Sequence, residues 1–125
     1  MTMRRIVAVV PDLFFAARIA ATAAQLGAEL RQPAPADALA EIRAAAPDLV
    51  IVDLSAGRAV LDAVRALKAD PDARRTPVVG FYPHVDGALR EAAREAGVDS
   101  ILPRSAFTAR LAALLAGELS PRAPD

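Results

Sequence analysis

Residues 48–57 read DLVIVDLSAG. The core of that stretch, Leu49-Val50-Ile51-Val52, is apolar and mostly β-branched. It is too short for an independent helix and shows no polar alternation. That is the pattern of a strand covered on both faces, as in a parallel sheet. The run ends on a carboxylate, Asp53. An Asp at the tip of such a strand either caps the turn that follows or carries chemistry.

Working outward, the rest of the chain fits the same frame. Residues 6–10 form a second apolar run, stopped by Pro11. Residues 77–81 and 100–102 are further short strands, and residues 28–32 a weak outer one. Helical stretches lie between them. Residues 13–26 end at Gly27, a typical C′ residue. A helix from about Asp37 to Ala46 is stopped by Pro47. Residues 58–69 place Val60, Val64 and Leu67 on one face, and residues 86–96 end at Gly97. Ser105 is the expected cap of a last helix with Phe107, Leu111, Leu114 and Leu115 on one side. Strands alternating with helices at this spacing predict an α/β fold: a three-layer sandwich with a five-stranded parallel sheet and helices on both faces. No internal repeat or linker appears. Residues 1–119 are expected to form one domain and 120–125 a frayed tail.

Composition removes several function classes. Fifteen basic and fifteen acidic residues cancel, so the footprint of a dedicated nucleic-acid binder is missing. There is no Cys, which excludes disulfides and thiolate chemistry. No apolar run reaches membrane-spanning length, and the start, MTMRRIVAVVPD, reads as a strand rather than a signal peptide. These features point to a soluble cytoplasmic protein. Lys68 is the only Lys in the chain, so a Lys-dependent site has one candidate. No G-x-G-x-x-G, P-loop or G-x-S-x-G occurs.

In an open parallel sheet, ligands sit beyond the carboxyl ends of the strands. The residues just past each strand are therefore the site candidates. They are Pro11 and Asp12, then Asp53, then Tyr82, Pro83 and His84, and finally Pro103, Arg104 and Ser105. Two acids, a Tyr, the only His and an Arg are expected to meet at one edge.

At these residues the chain resembles a response-regulator receiver domain, the CheY-like, flavodoxin-like module of two-component signalling. The resemblance runs from Arg5 to about Leu115 through VAVVPD, PDLVIVDL, TPVVGF, EAAREAGVDSILPR and the closing helix. It implies a sheet order of 2-1-3-4-5. It implies that Asp53 holds the phosphoacceptor position and that Asp12, with Asp53, holds Mg²⁺. The family's acid pair is here Pro11-Asp12, its Thr or Ser position is Tyr82, and its Lys position is Arg104. One carboxylate fewer weakens Mg²⁺ binding. A guanidinium keeps the charge of the Lys but not its compactness. A phenol is long and planar where a small hydroxyl would swing toward a phosphoryl group. Lys68 falls near a helix end, away from this edge.

The resemblance with these departures implies a stand-alone receiver-like signalling domain, not an enzyme. It would act by docking a protein partner, either a sensor kinase or a downstream signalling protein, with a homodimer left open. A conventional receiver phosphorylated on Asp53 with Mg²⁺ is the alternative, and a small-molecule-binding flavodoxin-like domain a distant third. Each residue also has a plainer reading. Asp12 is an N-cap as readily as a metal ligand. Tyr82 occludes the pocket or packs its ring. His84 responds to protons near Asp53 or sits in an exposed loop. Arg104 is expected to pair with Asp53. Phe14 and Phe15 cannot both be buried by one helix face, so one is an exposed partner anchor or plain surface.

Overall fold

The computed structural model describes residues 3–83 and 87–118. Strands β1 (Arg5–Val9), β2 (Glu29–Arg31), β3 (Leu49–Asp53), β4 (Val78–Tyr82) and β5 (Ser100–Pro103) form one sheet in the order 2-1-3-4-5. Every neighbouring pair is parallel. Around it lie α1 (Leu13–Leu26), α2 (Ala38–Ala45), α3 (Arg58–Ala69), α4 (Gly87–Ala96), α5 (Arg104–Ala109) and α6 (Leu111–Leu115).

Side-chain alternation along the strands divides the core into two layers. Val7, Val9, Val50 and Val52 face the buried sides of α2, α3 and α4. Ile6, Ala8, Leu49 and Ile51 face those of α1, α5 and α6. Both sides are covered, so β1 from Ile6 onward, β3 and β4 have no solvent face. Three Phe rings anchor the second layer. Phe15 meets Phe81 edge-on at 5.0 Å between centroids, and Phe81 stacks on Phe107 at 4.7 Å. Register levels the strand tips, with Asp53 beside Phe81 and Tyr82 beside Pro103.

The element boundaries follow local chemistry. Gly27 closes α1 with φ of 71°, a conformation that favours glycine. The end of the chain departs from expectation. Ser105 does not cap a single helix. Arg104 already lies in α5, which begins directly after Pro103 without a side-chain cap. Proline fixes φ and presets the turn into the helix. At Arg110 the backbone leaves helical geometry (φ −107°, ψ 8°), so the closing helix is two segments, α5 and α6. Asp86 and His84 lie outside the described residues.

Helix α1 exposes an unusual face. Phe15, Ile19 and Ala23 are buried, whereas Phe14 is 92% and Leu13 82% exposed. Each forgoes the roughly 1.5–3 kcal/mol that full burial of such a side chain is worth.

Lys68 ties down the opposite end of the sheet. Its Nζ donates to the carbonyls of Arg74 and Thr76 and to Asp99 Oδ2, at 3.0, 2.8 and 2.8 Å. The same Asp99 oxygen accepts the N–H of Val78 at the start of β4. This cation is structural and far from the strand tips that carry Asp53. Lys68→Met removes the donor of two carbonyls and leaves Asp99 with the Val78 N–H alone. Urea unfolding should show a loss of about 1–3 kcal/mol. A variant as stable as the parent would remove Lys68 from this structural role.

Candidate functional site

The carboxyl edge of the sheet gathers Asp12, Asp53, Tyr82 and Arg104. It holds them in an arrangement only partly foreseen. Asp53 is the only buried charged residue among the described residues, 6% exposed. Its Oδ1 accepts two hydrogen bonds from Ser55, one from the backbone N–H at 2.9 Å and one from the hydroxyl at 2.6 Å. Asp53 therefore caps the turn Leu54–Ala56 that follows β3. Its Oδ2 makes no hydrogen bond to the described residues. Ser55 was not among the expected site residues. The signal for it is local: an Asp followed two residues later by a Ser, where side chains bond back to the turn.

Asp12 is the N-cap of α1. Its Oδ1 accepts from the N–H groups of Phe14 and Phe15 at 3.0 and 3.2 Å. Its Oδ2 pairs with the Arg104 guanidinium at 3.3 Å. The expected Arg104–Asp53 pair is thus replaced by Arg104–Asp12. The reason is that Arg104 has a platform on that side. Its guanidinium carbon lies 4.7 Å from the centre of the Phe15 ring and 5.9 Å from that of Phe81. Such a contact contributes on the order of 0.5–1 kcal/mol. Arg104 Nε is buried without a hydrogen-bond partner, so among the described residues the head of the side chain is oriented by stacking and by Asp12. The Asp12 carboxyl is held below its ordinary value of 3.8, chiefly by the Phe15 N–H. Burial opposes the shift, and the Phe14 N–H and the Arg104 charge add to it.

Tyr82 is buried in the layer shared with α2, α3 and α4. Its ring packs as core, while the neighbouring Phe81 points to the other layer. His84 lies outside the described residues.

A Mg²⁺ ion wants several oxygen ligands in near-octahedral array. Here both oxygens of Asp12 are taken, by the helix cap and by a cation. One oxygen of Asp53 is taken by Ser55. Among the described residues no three acids or histidines gather as a metal-ligand cluster. This donor set does not fit the ion. Among the same residues no helix is long and apolar enough to cross a membrane.

The fold and this edge define a three-layer α/β domain with a polar site at the strand tips. No protein-family model and no curated protein matches the chain. Solved structures do. The response regulator from Hahella chejuensis superposes with a TM-score of 0.80 at 21% identity, over 98% of this chain and 99% of that one. The phosphorylated cyanobacterial phytochrome response regulator RcpA gives 0.76 at 21% identity, over 93% and 91%. The chemotaxis response regulator CheY4 of Vibrio cholerae gives 0.73 at 18%, over 88% and 99%. The chain has the fold of response-regulator receiver domains.

The Asp12 geometry fixes a pH dependence. A lowered folded-state pKa means that the charged form stabilises the fold. That contribution is complete above the unfolded pKa and disappears as pH falls through the folded one. Asp12→Asn keeps a good helix cap but removes the charge facing Arg104. Thermal melting followed by circular dichroism should show the variant below the parent near neutral pH. The gap should begin to narrow as pH falls through the ordinary value of 3.8 and should close only below the lowered folded-state value, where the parent's own Asp12 becomes protonated. A gap that persists unchanged when pH is taken well below that value would mean the charge on Asp12 is irrelevant.

Proposed function

We propose that this chain is a receiver-like domain of two-component type that works in the cytoplasm by docking another protein, a sensor kinase or a downstream signalling protein. Its acid site is degenerate, held by an internal cation rather than operated by Mg²⁺ and phosphoryl transfer. The observation that carries this reading is the double commitment of Asp12, whose carboxylate caps α1 and pairs with Arg104 at once. A metal would have to displace a guanidinium that is stacked on Phe15. On this reading the domain turns nothing over and is not an enzyme. Mg²⁺ binds weakly at best. The partner is not nucleic acid, since equal numbers of acids and bases leave no basic footprint.

The second reading, a conventional receiver phosphorylated on Asp53, is favoured by one observation. Asp53 Oδ2 is free of hydrogen bonds to the described residues, as an attacking oxygen needs to be.

Beryllofluoride with Mg²⁺ separates the two. In amide NMR spectra, millimolar additions should leave the signals of Asp53, Ser55 and their neighbours in place. In Arg104→Ala, where Asp12 is released, Mg²⁺ alone should begin to shift the Asp12 to Phe15 signals. A saturable response of the parent protein around Asp53 would establish the conventional receiver instead.

A further inference from the structure

A cleft of about 560 Å³ lies between α1 and α5. Small-molecule sites occupy roughly 300–1,000 Å³. Phe14, Ala17 and Arg18 line it from α1, and Arg104 and Thr108 from α5. Its charged side chains are the guanidinium groups of Arg18 and Arg104 and the carboxylate of Asp12, so cations outnumber acids two to one. Both oxygens of Asp12 are engaged. Asp12 accepts from Nη2 of Arg104 alone. None of the ion pairs among the described residues involves Arg18. Thr108 Oγ1 spends its hydrogen on the Arg104 carbonyl at 2.9 Å. The hydrogen-bonding capacity of the cleft is therefore mostly cationic donors. Beside them stands an apolar surface, Ala17 and the 92% exposed ring of Phe14.

Charge and shape together select the class of occupant. An inorganic anion satisfies the guanidinium groups and leaves Phe14 in water. An apolar molecule covers Phe14 and leaves Arg18 without a counter-charge. A planar ring bearing a carboxylate or phosphate does both. A guanidinium takes two oxygens of such a group at once, and the ring packs offset or edge-on against Phe14. We infer that the cleft between α1 and α5 is a binding site for a small aromatic anion, with Arg18 and Arg104 holding the charged end and Phe14 the ring. Neither Asp53 nor Ser55 lines this cleft, so the site is separate from the phosphoacceptor position. The inference goes beyond the docking function and does not depend on it.

The probe is naphthyl phosphate. Inorganic phosphate supplies the charge without the ring, and naphthol the ring without the charge. In amide NMR titrations naphthyl phosphate should bind saturably and shift the signals of Phe14, Ala17, Arg18, Arg104 and Thr108. Neither control should saturate at the same concentrations. Arg18→Gln should weaken binding about tenfold or more, and Phe14→Ala several-fold. Arg65→Gln removes an exposed cation from α3 and should bind like the parent. Arg18 and Phe14 are exposed, so their variants should melt like the parent, which circular dichroism checks. Parent-like affinity in Arg18→Gln or Phe14→Ala overturns the proposal. So does inorganic phosphate binding as tightly as naphthyl phosphate, because the ring then contributes nothing. A response confined to Asp53 and Ser55 overturns it in favour of an anion site at the acid edge. Binding to phosphatidylglycerol vesicles that Phe14→Ala abolishes, with no saturable binding of the free probe, overturns it in favour of a lipid surface. The absence of any saturable response in the parent also overturns it and leaves the docking function standing.

Discussion

A parallel sheet covered by helices on both faces leaves no face for polar groups, and that constraint organises this molecule. The central strands β1, β3 and β4 are buried almost throughout, and Asp53 is the one charged residue that stays buried among those described. Its polar side chain is accommodated there because it stands at the strand tip, where turn groups are available to hydrogen-bond it. Ser55 does so twice. The same constraint gives α1 its start. The chain must leave β1 and turn at once onto the sheet, so the first available polar side chain, Asp12, becomes the helix cap. Sheet burial thus sends the acids to a common edge before any chemistry is asked of them.

That constraint also explains what could be read from the residues. Continuous β-branched runs ending in Asp53, and helices ending at Gly27 and Gly97, are local signals, and they led to the sheet and its layers. The Pro103 turn is local too, but Arg104 follows it directly into a helix, so Ser105 lost its role as a cap. The partner of Arg104 was not legible. Asp12 and Asp53 are both acids at strand tips, and sequence does not rank them. What ranks them is Phe15, one turn into α1, whose ring offers the guanidinium a flat surface on the Asp12 side. A cation–aromatic contact between residues far apart in the chain has no spacing rule to reveal it. Ser55 was within reach of local reasoning, because its bond to Asp53 spans two residues.

Arginine and a divalent ion solve the same electrostatic problem differently. A nearby cation stabilises a charged carboxylate, as Arg104 does Asp12. An ion from solution does so reversibly, and its occupancy can report a signal. A side-chain guanidinium does so permanently, since it stays charged at any ordinary pH. It also brings hydrogen-bonding geometry, and here it trades a further contact for an unpartnered Nε. Burying that N–H without an acceptor has a cost, which the stacking on Phe15 and the pairing with Asp12 offset.

Asp12 joins that edge to the exposed face of α1. One of its oxygens holds Arg104, and the other holds the N–H groups of Phe14 and Phe15. The ring of Phe15 goes inward beneath the guanidinium, while the ring of Phe14 goes out to water. Adjacent helical residues point roughly a hundred degrees apart, so fixing one ring fixes the direction of the other. The burial of Phe15 among Phe81 and Phe107 therefore sets the direction in which Phe14 leaves α1 for solvent.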